Sequence, residues 1–455
     1  MTVLLREHEA RDTSMGGRLF PAVDVSSLVA FRILFGSLLA WEIVRDCRNG
    51  VVTSRYLIPI VRFPYHGFEW VPALPREYVS AYMAALCAIA VMVAVGFCYR
   101  ASATLLFVGF CHLLLIDKAF YLNHEYLICL IAFLMIFAPS SRAYSIDAIM
   151  AKSKSRAVSL VPCWSLWMLR VQIALVYIFA GLAKLNPDWL HGQPMRMWFA
   201  PEPSSSPDFW LDGRLWPPIL TYGGLLLDLC IVPLLLWKRT RWLAFGLAVV
   251  FHLTNAFLFR IGVFPWMMIA ATTLFLPPDW PRQLVRRLGL RRVAAAAVGP
   301  PPVSAYPNKW VASLMIFYCL VQVVLPLRHL LYPGNVDWTE EGSRFAWRLM
   351  LRDKQGWMRF IVETPHGDRQ EVSSGRFLTR KQEDALIKDP EIARQFCHVL
   401  REDYRRTHGG DASVRVLTSV SLNGRKGQLL INPVVDLSAE PWSIRPARWI
   451  IPLLD

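Results

Sequence analysis

The sequence predicts a polytopic α-helical membrane protein, with about eight or nine transmembrane helices and a C-terminal soluble domain of mixed α/β, strand-rich structure. Hydrophobic residues make up 55% of the 455 residues and charged residues only 18%, whereas soluble domains carry about 25% charge. The charge is uneven, because residues 336–455 hold 19 Lys and Arg and 17 Asp and Glu, a far higher density than the rest. The first three quarters are therefore membrane-like and the last quarter is soluble-like.

Nine apolar stretches are candidate spans, since a membrane-crossing helix needs about 20 mostly apolar residues. They are 25–44, 80–98, 102–117, 125–139, 164–182, 217–236, 242–259, 261–276 and 310–327. With a cytoplasmic N-terminus, 17 basic residues fall in inside segments and 10 in outside loops before the last span, which fits the positive-inside rule. We therefore divide the chain into an N-terminal cytoplasmic segment 1–24, a transmembrane domain 25–327 and an outer soluble domain 328–455.

The soluble quarter shows both strand and helix patterns. The strand-like segments alternate or run β-branched, and they are Trp357–Glu363, Ser413–Val420 and Gln428–Ile431. Asn423-Gly424 predicts a tight turn between two of them. Residues 381–406 have helical periodicity, and 293–302 reads as a loop or linker.

The charge and cysteine patterns exclude several classes of protein. The net charge of +15 lies almost entirely in the membrane part, as expected of loops that contact anionic lipid. The soluble part is nearly neutral, so nucleic acid is not an expected partner. The nine cysteines show no CxxC and no paired spacing, so we expect neither a disulfide framework nor a metal site.

Ionisable residues within the spans are functional candidates by default. For Arg32 we expect an ion pair with another span, for instance with Asp228. For His112, on an apolar helix, we expect a core histidine whose ring nitrogens have hydrogen-bond partners. His252 and Asn255 are three residues apart on one helical face, which fits either an interhelical hydrogen-bond clamp or a functional group.

Two clusters lie at the outer edge of the spans. One contains His124, in Asn123-His124-Glu125-Tyr126, and the other contains Lys184, at the end of an apolar helix just before Trp189. Lys184 fits either a lysine that snorkels to water or a base, because burial disfavours a charged amine and a neutral amine can deprotonate an acidic hydroxyl. The span count puts Lys184, His124, Arg260 and the soluble domain on one face. A reaction centre would form where that domain caps the helices.

These stretches also carry a family resemblance, because the chain resembles the vitamin K-dependent γ-glutamyl carboxylases over some 400 residues, in the form of a bacterial-type member. The matching pieces, each weak alone, occur in shared order: Ser27–Gly36, Arg62–Pro64, Gly96–Arg100, Asn123-His124 with Tyr126-Leu127, Gly181–Trp189, Gly223–Leu229, Phe251-His252 with Asn255, Ile261–Phe264, Pro278–Arg282, Trp338-Thr339, Trp347, Met350 and Asn432-Pro433 with Asp436.

The resemblance implies an activity and its partners. Members carboxylate peptide glutamate to γ-carboxyglutamate while they oxygenate vitamin K hydroquinone to its epoxide, with O2 and CO2 as co-substrates and no metal. The oxygenated vitamin K supplies the strong base that a glutamyl γ-CH requires, and water must be excluded because it would quench that base. The implied partners are a glutamate-containing peptide or protein and the lipid bilayer. The implied location is a bacterial inner membrane with the site facing the periplasm, or the ER membrane facing the lumen in a eukaryote.

The resemblance also implies residue roles. Lys184 matches the catalytic lysine, and His124 with Asn123 matches the pair near the glutamyl side chain. The quinone-side wall is matched by His252, Asn255, Ile261, Phe264 and Met268, and the substrate rim on the soluble domain by Trp347, Met350 and Lys354.

This chain departs from the family pattern at some of these positions. An Arg that members have a few positions beyond a matched Trp is Lys354 here, and another Arg is Val434. Animal members carry a Cys where this chain has Val61, so we do not expect the associated disulfide. The chain is also shorter than those members at its C-terminus, so we expect propeptide recognition to differ or be absent.

Other functions remain open on the residues alone. They are a quinol epoxidase without carboxylase activity, a transporter with Arg32, Asp228 and His252 along its path, and a non-catalytic membrane scaffold. Against a transporter, the sequence shows neither the inverted repeat nor the pairs of broken helices that many transporters have. Lys184 discriminates, because an enzyme fails without it and a scaffold does not.

Overall fold

The structure, a computed structural model, describes residues 22–151, 160–199, 216–259, 261–289 and 309–454. Nearly all of the N-terminal segment 1–24, Arg260 and the linker 293–302 lie outside the described residues. In the described ranges, seven helices are long and apolar enough to cross a membrane, and two shorter apolar helices accompany them. The polytopic helical fold predicted from composition is therefore confirmed.

The nine apolar helices follow the nine predicted stretches in order. They are α1 Ser26–Arg48, α2 Val79–Val95, α3 Tyr99–Ile116, α4 Asn123–Phe137, α5 Cys163–Ala183, α6 Trp216–Leu236, α7 Arg241–Leu258, α8 Phe264–Thr272 and α9 Lys309–Leu327. A 3₁₀ turn extends α2 at its start, α8 at its end and α9 at its end, and a π-helical turn, Thr53–Leu57, follows α1. Short helices occupy Ile146–Met150, Pro187–Leu190, Met195–Trp198, Trp280–Arg287 and Val336–Thr339.

The two short helices lie inside the bundle. On α4, every residue from Tyr126 to Ala132 is buried, and α8 packs against α1, α5 and α7. A helix that is apolar on all sides is buried either in a protein core or in a membrane, and these contacts place both helices inside the bundle. The first turn of α4 carries His124 and α8 begins at Phe264, and both residues are half-buried.

Two close helix approaches shape the bundle. A Cβ added at Gly181 on α5 would lie 2.7 Å from Leu229 of α6, and one at Gly36 on α1 would lie 2.6 Å from backbone atoms of α2. Only glycine permits such separations. At the far end of the helices, β1 Ala22–Asp24 pairs antiparallel with β2 Leu160–Pro162.

The soluble domain is a three-stranded antiparallel sheet with two helices. Its strands β3 Lys354–Glu363, β4 Arg369–Val372 and β5 Ser413–Leu422 are ordered β4-β3-β5. The alternate residues of β5 are buried, from Val414 to Leu422, as expected of a sheet with one covered face. Helices α10 Arg380–Lys388 and α11 Pro390–His408 complete this core.

Some predicted elements of this domain differ. The predicted single helix over 381–406 is two helices, because Asp389 caps α11 and Pro390 occupies its first position, where proline is tolerated. The predicted strand Gln428–Ile431 forms only isolated bridges, and β4 was not predicted. The turn at Asn423-Gly424 is confirmed, with φ of 50° and 79°.

The soluble domain docks on the loops at one end of the helices. Gln382 on α10 donates to Asp117 (3.0 Å) after α3, and Arg425 pairs with Asp188 (2.7 Å) after α5. Gln395 on α11 also donates to the Pro64 carbonyl (3.2 Å) between α1 and α2. Lys184 and His124 lie at this same end.

Candidate functional site

Lys184 is the C-cap residue of α5, and its side chain is buried rather than snorkelling. Its Nζ donates to Asp228 Oδ2 of α6 at 2.5 Å and approaches the Ala180 carbonyl at 3.4 Å. The amine also lies 5.2 Å from the centre of the Trp189 ring. The Gly181–Leu229 approach brings α5 and α6 close enough for this pair to form.

The expected ion pair between Arg32 and Asp228 is wrong. Arg32 lies near the start of α1, at the opposite end from the soluble domain, and donates to the carbonyls of Ala94, Ser140 and Tyr144. The Ala94 carbonyl lies in the last turn of α2, where carbonyls lack intrahelical partners, and Ser140 and Tyr144 lie in the loop between α4 and the short helix Ile146–Met150. Asp228 is thus left for Lys184, a partnership that the sequence reasoning missed.

The buried Lys184–Asp228 pair can hold a proton at either of two atoms. Neither side chain is more than 7% exposed, and burying separated charges is costly in such a place. A proton that leaves Nζ therefore has an acceptor, Asp228 Oδ2, in direct contact. This arrangement suits an amine that must present a free lone pair in a dry site.

His124 occupies the first turn of α4 and faces a small cavity. Neither ring nitrogen has a hydrogen-bond partner among the residues that the structure describes. The cavity holds about 50 Å³ and is also lined by Glu42, Asp46, Arg55 and Glu125. Arg55 and Glu125 form a salt bridge across it. An imidazole without a partner beside a polar cavity is available to donate or accept a hydrogen bond.

Asn123 is tied to the soluble domain through a tyrosine. Its Oδ1 accepts a hydrogen bond from Tyr121 Oη (2.9 Å), and the same hydroxyl accepts from the backbone N–H of Phe345 (3.0 Å). The position of Asn123 therefore depends on the docked domain.

His252 forms the predicted interhelical contact. Its Nε2 lies 2.8 Å from Tyr177 Oη on α5, which in turn lies 3.1 Å from Thr272 Oγ1 on α8. The His252 Nδ1 is buried and has no hydrogen-bond partner among the described residues. His112, by contrast, bonds Tyr82 and the Pro72 carbonyl, so it is the satisfied histidine expected.

Phe264 joins the two histidines into one array. Its ring lies 6.5 Å from His124 and 6.4 Å from His252. Met268 is buried on the same helix, and Ile261 is half-buried just before it. Asn255, one turn beyond His252, is half-buried. Of the residues assigned to the quinone-side wall, the structure thus places Phe264 of α8 next to His252 of α7.

Two of the three residues assigned to the rim, Trp347 and Met350, lie in a loop with strained backbone. The non-glycine residues Phe345, Trp347 and Met350 have φ of 61°, 56° and 58°, a conformation that costs energy and clusters at functional sites. Trp347 stacks on Tyr126 with 5.1 Å between ring centres, and its buried Nε1 has no partner among the described residues.

Lys354 does not join this group. Its Nζ donates to the carbonyls of Trp338 (2.5 Å) and Lys388 (2.7 Å), and it lies 3.7 Å from Glu340. Burial lowers the pKa of Lys354 to about 8. These contacts brace the interior of the soluble domain.

A cavity of about 620 Å³ lies between the ends of α5 and α9 and the soluble domain. Ala183 and Leu185 line it on either side of Lys184, whose own side chain turns toward α6, and His329 and Arg348 line it opposite. Its size is that of a small-molecule site.

Comparison with known families covers most of the chain. The HTTM domain model matches residues 20–280, and the model for the vitamin K-dependent gamma-carboxylase lumenal domain matches residues 307–455. No solved structure matches the chain.

Proposed function

We infer, from the premise that this chain belongs to the vitamin K-dependent gamma-carboxylase family, that it converts peptide glutamate to γ-carboxyglutamate and vitamin K hydroquinone to its epoxide. The observation that carries this proposal is the buried Lys184–Asp228 pair at the end of α5, beneath the soluble domain. In this proposal 25–327 is the catalytic membrane domain and 328–455 caps it from the periplasmic or lumenal side.

The residues of the wall fit a quinone ring. Phe264, Met268 and Ile261 are apolar, and the buried His252 Nδ1, which has no partner among the described residues, is available for a hydrogen bond to a ring oxygen. Ligand sites of this kind are mostly apolar with a few placed polar groups. When bound and oxygenated, the cofactor supplies a base strong enough for the glutamyl γ-proton.

Lys184 and Asp228 act on the hydroquinone. Nζ takes a proton from a ring hydroxyl once its own proton rests on Asp228 Oδ2, 2.5 Å away. The contact with Trp189 and the docked domain keep water from this step. Proton transfer between positioned groups contributes roughly 10²- to 10⁴-fold to a rate.

His124 and Asn123 act on the glutamyl side chain. The link of Asn123 through Tyr121 to Phe345 couples this residue, next to His124, to the domain that would present the peptide. Trp347 and Met350 would form the adjacent rim; both have strained backbone, and Trp347 stacks on Tyr126 of α4.

The direct test uses purified protein with vitamin K hydroquinone, labelled bicarbonate and a glutamate peptide, and measures labelled γ-carboxyglutamate and epoxide together. We expect both products from the wild type and neither from Lys184→Ala or Lys184→Arg, because an arginine keeps its proton. Lys118→Ala is the matched control, since Lys118 is equally buried but pairs with Glu391. Wild-type epoxide formation in Lys184→Ala would contradict the mechanism.

The same assay separates the alternative functions. Epoxide without labelled γ-carboxyglutamate identifies a quinol epoxidase that lacks carboxylation. A chain that forms neither product, yet remains folded, is the result expected of a transporter or scaffold.

A further inference from the structure

His252 has one ring nitrogen with a partner and one without. Its Nε2 lies 2.8 Å from Tyr177 Oη, whereas its Nδ1 is buried and has no hydrogen-bond partner among the described residues. A neutral imidazole carries a proton on one nitrogen and a lone pair on the other. Which of the two is present at Nδ1 decides what kind of group a ligand must offer to this nitrogen.

The contacts of Thr272 fix the direction of the hydrogen bonds around this ring. Thr272 Oγ1 lies 2.7 Å from the carbonyl oxygen of Met268, and only the threonine hydroxyl has a proton to place between these two atoms. The same Oγ1 lies 3.1 Å from Tyr177 Oη, so the threonine accepts this second hydrogen bond and the tyrosine donates it. Because Tyr177 has then used its only proton, it must accept a hydrogen bond from Nε2–H of His252.

Burial keeps the imidazole neutral. The side chain of His252 is 2% exposed, and Tyr177 and Thr272 are buried with it. Among the described residues neither ring nitrogen touches a carboxylate, and an isolated buried charge is costly. The ring therefore carries its proton on Nε2 and holds a bare lone pair at Nδ1.

His252 and Asp228 both contact the face of α5 that carries Lys184. Tyr177 precedes Lys184 by seven residues, which places both on one face of a helix. Asp228 of α6 meets that face at Lys184, and His252 of α7 meets it at Tyr177. The proposed function assigns one hydroxyl of the hydroquinone to Lys184, which leaves the second hydroxyl for another polar group on this face.

We propose that the Nδ1 lone pair of His252 selects the reduced form of the cofactor, an inference that rests on the proposed function. A hydroquinone hydroxyl donates a hydrogen bond to this lone pair. A quinone offers only carbonyl oxygens, which would meet the lone pair with no proton between the two atoms. A site built to bond a hydroxyl group rejects an analogue that lacks it. The epoxide product also has carbonyl oxygens there, so its release is favoured.

Tyr177 and Thr272 are positioning residues in this proposal, because they act on the ligand only through the ring of His252. In Thr272→Val, Tyr177 loses the acceptor for its proton and can either accept from Nε2 or donate to it. A quinone can then bind the tautomer that has N–H at Nδ1. Thr272→Val should therefore change the preference between the two redox forms, although Thr272 itself does not face the ligand.

The binding test measures the affinity of the purified protein for vitamin K hydroquinone and for vitamin K quinone without O2, so that neither is consumed. In the wild type we expect the hydroquinone to bind roughly tenfold to hundredfold more tightly. In Thr272→Val we expect the quinone to bind more tightly than in the wild type, and the preference to fall by about tenfold.

Thr273→Val is the matched control for this test, because the adjacent Thr273 hydroxyl is also buried but donates to the Ala270 carbonyl. Its preference should equal that of the wild type. A wild type without preference, or an unchanged preference in Thr272→Val, would overturn the proposal.

A spectroscopic test reads the tautomer directly and needs neither turnover nor a ligand. With ¹⁵N-labelled histidine, chemical shifts distinguish a protonated ring nitrogen from one with a lone pair, and the signals absent from His252→Gln belong to His252. The wild type should show a proton on Nε2 only, whereas Thr272→Val should show both tautomers. A proton on Nδ1 in the wild type would overturn the proposal even if the enzyme is active. The expected tautomer and binding preference in a protein that forms neither product would contradict only the proposed function.

Discussion

At the residue scale, the partner of Lys184 decides what its amine can do. Asp228 touches Nζ in a site closed to solvent, so the two side chains form a unit rather than two separate groups. The nearby Tyr177, one of the residues on α5 that face inward, holds His252 in the same way. Both partners are hydrogen-bonding groups on apolar helices that sequence spacing does not connect.

We expect Asp228→Asn to lower both epoxide formation and carboxylation at least about tenfold. Asparagine keeps the hydrogen bond to Nζ but cannot take its proton. Parallel steady-state assays of both products test this, with circular dichroism as the folding control. Loss of carboxylation alone would instead place Asp228 on the glutamyl side.

His124→Ala should lose more carboxylation than epoxide formation, because the imidazole faces the Glu42 cavity rather than the Lys184–Asp228 pair. The ratio of the two products is the measurement. His112→Ala is the matched control, since that histidine bonds Tyr82 and Pro72, and its ratio should equal that of the wild type. An equal fall of both products in His124→Ala would indicate a structural role.

The buried Lys354 predicts a pH dependence of stability. Its folded pKa of about 8 lies below the ordinary value of 10.5 because burial penalises the ammonium. Between these two values the unfolded chain binds more protons, so this residue's contribution to stability rises with pH from about 8 to 10.5. Over this pH range, the melting temperature of the wild type should rise relative to that of Lys354→Met. Melting temperatures that change in parallel with pH in the two proteins would contradict the prediction.

At the element scale, sequence periodicity was sufficient to locate the helices, but it did not indicate which elements pack against or pair with one another. All nine predicted apolar stretches contain a helix. They could be located because the length and hydropathy of a span can be read from the local sequence. The break between α10 and α11 has a sequence signal in Asp389-Pro390, a capping residue followed by proline. The prediction of a single helix over 381–406 overlooked it. The strand β4 was missed because Arg369–Val372 has little apolar residue content, and pairing with β3 alone makes it a strand.

The sequence indicated candidate residues for the site but not the contacts between them. Lys184, His124 and His252 stood out as polar residues at apolar helices, which is a local signal. The pairing of Lys184 with Asp228 depends on the close approach at Gly181, which is a tertiary fact. Glu42, which lines the cavity beside His124, gave no signal of its own, because its position there is a property of the folded chain.

Gly181→Val should separate α5 from α6, since a Cβ there would lie 2.7 Å from Leu229. Overpacking costs roughly 1–3 kcal/mol, and the displaced helix would lengthen the Lys184–Asp228 contact. We expect both activities and thermal stability to fall. Gly246→Val on α7 is the control, because no atom lies within 4 Å of its added Cβ. Comparable losses in both variants would argue against a specific approach.

At the scale of the whole molecule, the soluble domain and the bundle meet beside the candidate site. Asp188 stands four residues after Lys184 and accepts two hydrogen bonds from Arg425 and one from Asn423. Burial raises the pKa of Asp188, but these bonds outweigh it and hold the pKa below its ordinary value. This docking contact is therefore present above about pH 4 and weakens as the carboxylate is protonated at lower pH.

Arg425→Ala should loosen the domain and so reduce both reactions through KM for the peptide and through water leakage, without changing any group that carries protons. The double variant Asp188→Asn/Arg425→Ala should be no less stable than Arg425→Ala alone, because the two residues share one interaction. Arg415→Ala is the matched control, since Arg415 pairs with Glu363 inside the sheet of the soluble domain. Limited proteolysis should cleave Arg425→Ala faster than that control between the membrane helices and β3. The effects of the two substitutions on stability could instead simply add, with Arg425→Ala cleaved as slowly as the wild type. In that case the soluble domain covers Lys184 without depending on this contact.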